Sequence, residues 1–190
     1  MIIKVTDQNG QTRNKTQWGP GVTHTAPGTG ELCTNGWLHA YEGLGTAVML
    51  NPIHGHIKEP RFWKARGKVE KRDGRRKFGT TKLTTLEEIK VVLPSSEERV
   101  VCAITLAMSL LPPEDSPEWF DWAEGYLSGE RRGKDTYFSS LDLTSPYANI
   151  AYYAAFAACN ANSVDYAINA ANVAALFINI DKVACAVFGY

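Results

Sequence analysis

Residues 61–84, RFWKARGKVEKRDGRRKFGTTKLT, alternate with a period of two and reverse at Asp73-Gly74, a pattern that suits an antiparallel ribbon and little else. A two-residue type I′ loop at that dipeptide sets Val69 opposite Phe78 and Glu70 opposite Lys77, an apolar pair and an ion pair of the kind that stabilise sheets. One face then carries Trp63, Ala65, Gly67, Val69, Phe78 and Thr80, the expected core side. The other carries Lys64, Arg66, Lys68, Arg72, Arg75 and Lys77, a cationic strip expected to bind a partner.

The ribbon sits in a chain whose formal net charge is zero only in sum. Residues 58–90 hold twelve Lys and Arg against five Asp and Glu, whereas residues 91–190 hold five against twelve. Segregation of this size implies a charged partner for one part or attraction between opposite surfaces, within one chain or between two copies.

Around the ribbon the first ninety residues read as β-rich. IIKV (2–5) suits a strand, and QWGPGVTHTAPGTG (17–30) is broken too often by Pro and Gly for regular structure. ELCT (31–34) is expected as a brief strand before an Asn35-Gly36 turn, GTAVMLNPI (45–53) as a short helix stopped before Pro52, and LEEIKVVL (86–93) as a further strand. The chain then changes character. Ser95 and Glu98 have capping-box spacing ahead of VVCAITLAMSLL, which predicts a helix over about 96–111 ended by Pro112-Pro113. Ser116-Pro117 opens PEWFDWAEGYLSG, with Gly129 placed to end it, and Ser145-Pro146 opens YANIAYYAAFAACNA. Ser163 precedes VDYAINAANVAALFINI, and DKVACAVFG adds a final short helix. Alanines among Tyr152, Tyr153, Phe156, Tyr166, Ile168 and Phe177 suit closely approaching helices. The fold class is α+β, with a β-rich domain at 1–93 and a helical bundle at 94–190.

The stretch CTNGWLHA resembles a family of phage and prophage domains of unknown function. These carry Cys-x-x-Gly-aromatic-x-His-small, here Cys33, Gly36, Trp37, His39 and Ala40, then a helix and a strand beginning Arg61-Phe62. WAEGYLSGERR and the alanine- and tyrosine-rich stretches after it are similar to the helical module of immunity-type proteins of phage genomes. The resemblance implies a phage-encoded accessory protein in a bacterial cytoplasm, modulating a host process such as antiviral defence.

The chemistry-bearing residues divide between functional and structural roles. His39 with Tyr41 could act as a general base beside a phenol, but the favoured reading is structural: Asn35-Gly36 makes a turn, Trp37 and Leu38 anchor the core and the His39 ring satisfies a backbone carbonyl. His54-x-His56 has metal-ligand character but sits in a loop without a carboxylate or thiol beside it, so no metal is expected. The glycines of WGPGVTHTAPGTG lack a P-loop lysine. A second function class is a small enzyme on a nucleotide or nucleic acid, ADP-ribosyltransferase-like, using His24 or His39 with Glu87 or Glu88. The four scattered cysteines, Cys33, Cys102, Cys159 and Cys185, fit reduced thiols, and the absence of a long apolar run fits a soluble, unexported protein. The residues ask for no cofactor. The leading expectation is a binding protein that meets a host protein or nucleic acid through the cationic strip.

Overall fold

IIKVT has the β-branched composition of a strand buried on both faces. In the computed structural model, which describes residues 1–130, 145–159 and 163–190, it forms β1 (Ile2–Thr6), with Ile3, Lys4, Val5 and Thr6 all buried. The chain divides into two compact units, Met1–Leu93 with Tyr190, and Pro94–Gly189. Antiparallel sheets make up the first and helices the second, an α+β fold.

The first unit runs β2 (Gln11–Thr12), β3 (Thr16–Gln17), β4 (Thr23–Thr25), β5 (Leu38–Ala40), α1 (Leu44–His54), β6 (Arg61–Gly67), β7 (Lys71–Asp73), β8 (Lys77–Thr80) and β9 (Lys82–Ile89) after β1. Four strands pair in the order β1-β6-β9-β4 and three in the order β5-β8-β7, while β2 and β3 pair alone. Ile3 and Tyr41 exchange backbone bonds of 2.9 Å, which joins the end of β5 to β1. Trp18, Ala40, Phe78 and Leu83 form a buried cluster with Ile2, Leu38, Ala65 and Val69 packed on it, so both larger sheets share one core. α1 is buried from Leu44 to Asn51 with no polar face and packs against β1, as an all-round apolar helix must.

Four local expectations are corrected. The helix does not stop before Pro52 but runs to His54: the Gly55 and His56 amides both bond the Asn51 carbonyl, at 2.8 and 3.0 Å, and close the last turn around the proline. Glu31–Thr34 is a turn rather than a strand, closed on the Glu31 carbonyl by the Thr34 amide at 3.1 Å and its hydroxyl at 2.7 Å. Thr23–Thr25, in a segment expected to lack regular structure, pairs with β9. The strand expected at 86–93 starts earlier and ends at Ile89, because it is the continuation of the ribbon's returning arm.

The second unit begins with the capping box. Ser95 Oγ accepts the Glu98 amide at 3.2 Å while the Glu98 carboxylate accepts the Ser95 amide at 2.7 Å, opening α2 (Ser96–Met108). Pro117 sits in the first turn of α3 (Pro117–Ser128), and Gly129 ends it at φ 85°, in the left-handed region. Ser116 departs from the expected cap: its hydroxyl donates to the Asp115 carbonyl at 2.7 Å. α4 (Pro146–Cys159), α5 (Val164–Ala174) and α6 (Asp181–Phe188) follow, and α2 packs against each of α3, α4, α5 and α6. Buried alanines at 103, 107, 151, 154, 167, 170, 171 and 174 permit that close packing, and the Trp119 indole donates to the Ala151 carbonyl at 3.2 Å. Residues 131 and 132 of WAEGYLSGERR and 160–162 of the alanine-rich stretch lie outside the described residues. Among the described residues no helix is long and apolar enough to cross a membrane.

Candidate functional site

The aromatic corner at 33–45 is held by backbone acceptors. The Gly36 carbonyl accepts the Gly28 amide at 2.8 Å, and a Cβ on Gly36 would lie 1.8 Å from the Thr29 carbonyl oxygen, so only glycine fits this crossing. The Trp37 indole donates to the Gly30 carbonyl at 3.1 Å, and Lys71 Nζ reaches the same oxygen at 2.9 Å while lying 5.9 Å over the Trp37 ring. His39 Nε2–H donates to the Leu32 carbonyl. Burial pushes the imidazole below its ordinary pKa, with the Lys4, Lys77 and Arg13 charges adding to that and the Leu32 hydrogen bond opposing it. Tyr41 is buried, its ring parallel to His54 at 6.1 Å, and burial raises its phenol. No hydrogen bond joins His39 to Tyr41 among the described residues, and each side chain has a structural task. His24 bonds the Gln17 carbonyl at 2.7 Å, Glu88 holds Arg61 at 2.5 Å and Glu87 holds Lys64 at 2.5 Å. His56 lies in the loop after α1 at φ 51°; among the described residues no three His, Cys, Asp or Glu side chains are grouped to hold a metal.

The ribbon is present in a different register. Asp73 stays extended and pairs with Lys77, so the reversal is the three-residue loop Gly74-Arg75-Arg76, with only Gly74 left-handed at φ 56°. A type I′ turn would need Asp73 left-handed too. The Arg76 amide returns to the Asp73 carbonyl at 3.0 Å, and their side chains pair. Arg72, not Val69, therefore faces Phe78, and Glu70 does not face Lys77. Below the tip Arg66 pairs with Thr84 and Gly67 with Leu83, and a bulge shifts β6 against β9 between Trp63 and Ala65.

This register divides the six cations of the expected strip. Arg72 shares the side of its direct partner Phe78, whereas Lys77 projects to the opposite side, with Asp73 and Cys33, whose sulfur accepts from Lys77 Nζ at 3.3 Å. These six cations do not share a single uninterrupted face. Lys64 and Arg72 are further neutralised by Glu87 and Glu42, carboxylates of the same unit, although about half of each cationic side chain remains exposed. Arg61, Lys71 and Arg76 are similarly paired with Glu88, Glu31 and Asp73. Arg75 stands exposed on the loop.

Arg66 and Lys68 remain together, and Lys82 joins them. The three line an open groove of about 620 Å³ whose walls include Thr23, Thr80, Thr81, Thr84 and Glu70, with Gly21 and Gly67 among its lining residues. None of the three makes an ion pair among the described residues. Gly67 is packed under the groove, since a Cβ there would lie 2.9 Å from the Lys82 carbonyl oxygen. Thr23 and Thr84 share a hydroxyl–hydroxyl bond of 2.7 Å, and Thr80 Oγ donates to the Lys82 carbonyl at 2.9 Å. The Thr81 amide donates to the Glu70 carboxylate, and this bond, with a further contact to the Thr81 hydroxyl and the charge of Lys68, holds Glu70 below the usual carboxylate range.

Lys82 and the threonines escape the sequence reasoning because a two-residue loop puts the wrong residues together. A three-residue loop brings Gly67 to Leu83, and their neighbours Lys68 and Lys82 then sit side by side. In comparison with known proteins, the chain matches no family model, no curated protein and no solved structure.

Proposed function

We propose that the β-rich unit is a binding module for the phosphate backbone of a nucleic acid, with Arg66, Lys68 and Lys82 as its principal contacts. The observation that carries this is selective pairing: Arg61, Lys64 and Arg72 are held in ion pairs, while these three, none in an ion pair among the described residues, converge on one open groove whose single carboxylate is Glu70. The Thr23–Thr84 hydroxyl pair, which spends one of its two protons internally, leaves a neutral donor of the kind that positions a sugar–phosphate chain. The unit carries fifteen Lys and Arg against eight Asp and Glu over residues 1–93, which favours encounter with a polyanion. Among the described residues no aromatic side chain lines the groove, so recognition is of the backbone rather than of stacked bases. The phage accessory role belongs to the same proposal and rests on the Cys33–Ala40 resemblance.

The test is fluorescence anisotropy with labelled oligonucleotides of about fifteen nucleotides, near the upper size of such sites. Replacing Arg66, Lys68 and Lys82 together by Ala should weaken binding at least about a hundredfold, taking each phosphate contact at roughly 1 kcal/mol or more. Unchanged affinity, or no binding by the unaltered protein together with nuclease-resistant capture of a host protein, overturns the proposal.

A further inference from the structure

One lining residue does not suit a site for phosphate alone. Glu70 is exposed, stands among Arg66, Lys68 and Lys82 on the groove wall, and is held ionised by the Thr81 amide. A fixed negative charge facing a polyanion weakens binding unless it accepts hydrogen bonds that the ligand supplies. A carboxylate offers about four acceptor positions, so the Thr81 amide and hydroxyl leave part of that capacity unfilled on a residue that lines the groove. Phosphodiesters have no donor to give it. A ribose does, in its 2′-hydroxyl, and DNA lacks that group.

We propose that the groove selects RNA over DNA, Glu70 accepting a hydrogen bond from a ribose 2′-hydroxyl while Arg66, Lys68 and Lys82 hold the flanking phosphates. The proposal rests on the phosphate-binding reading and sharpens it. In this arrangement the cations supply affinity common to both nucleic acids, and the carboxylate converts it into preference by repelling a chain that brings no hydroxyl. Thr81 orients Glu70, since it contributes both the donating amide and part of the groove wall.

The experiment compares single-stranded RNA and DNA of one sequence and about fifteen nucleotides, by anisotropy, with the full chain and with Glu70→Gln. The substitution keeps a side-chain oxygen for the Thr81 amide but removes the charge and presents an amide donor in place of an acceptor. The unaltered chain should prefer RNA about tenfold, the value of one charge-assisted hydrogen bond. Glu70→Gln should raise DNA affinity, through lost repulsion, and bring the RNA:DNA ratio close to one, with the circular dichroism spectrum of the folded chain retained. Equal affinity of the unaltered chain for RNA and DNA overturns the selectivity and leaves phosphate binding intact, as does a ratio that survives Glu70→Gln. Binding of neither strand overturns both.

Discussion

Lys4 is a charged residue in an environment that its chemistry disfavours. Only 7 % of it is exposed; its Nζ donates to the His39 carbonyl at 2.9 Å and lies 4.8 Å from the Trp18 ring, and it makes no ion pair among the described residues. Burial pushes its pKa from 10.5 down to about 8. Because the folded state holds this proton less tightly than the unfolded chain, the charge costs stability below about pH 8, and the cost is relieved as pH rises from there toward 10.5. Lys4→Met should therefore stabilise the protein at pH 7 by up to about 3 kcal/mol, less the lost His39 bond, with the gain fading by pH 10. Urea denaturation at the two pH values measures it; a destabilised variant, or a gain independent of pH, contradicts the assignment. Gly36→Ala should go the other way, losing at least about 2 kcal/mol, because its Cβ meets the immobile Thr29 carbonyl. Thermal unfolding checks this, and a neutral substitution would mean that the corner is not packed as described. At this scale the sequence was half legible. The structural role considered for His39, a ring satisfying a carbonyl, names the task it performs on Leu32. Lys4 gave no signal, since a lysine between isoleucine and valine in a strand ordinarily points to solvent, and only the presence of Trp18 and Trp63 on that side buries it.

Among the elements, the helices were the more legible, because their ends are written in local chemistry. Ser95 and Glu98 cap α2 reciprocally, and Gly129 ends α3 in the left-handed conformation, which glycine alone adopts without strain. Ser95→Ala should cost about 1 kcal/mol in the unfolding of the helical unit, read by circular dichroism, and a null effect would show that the box is not formed in solution. The ribbon was located but misregistered. Asp-Gly is favoured in a type I′ turn, yet here Asp73 is fixed in the strand by its pairing with Lys77 and by its side-chain contact to Arg76. Loop length is decided by such tertiary and side-chain contacts, and an error in it reassigns every cross-strand neighbour at once. That is why Val69–Phe78 and Glu70–Lys77 were expected, and why Lys82 was not counted with Arg66 and Lys68. Pro52 shows the same limit, since a helix can finish its last turn over a proline when one carbonyl accepts two following amides.

For the whole molecule, charge placement matters more than net charge. The chain sums to zero, yet residues 1–93 carry a surplus of seven positive charges and residues 94–190 a matching negative one. Exposed ion pairs contribute little to stability, so the pairing of Arg61, Lys64 and Arg72 with Glu88, Glu87 and Glu42 is chiefly a matter of where positive potential remains. Arg66, Lys68 and Lys82, with no ion pair among the described residues, group it at the groove. The measurement that tests this most directly is the salt dependence of oligonucleotide affinity for the unaltered chain and for the variant with Arg66, Lys68 and Lys82 replaced by Ala. Each single-strand phosphate neutralised contributes about −0.7 to the slope of log K against log salt, so the triple variant should show a slope shallower by about 2. Equal slopes would place the phosphate contacts elsewhere and contradict the account.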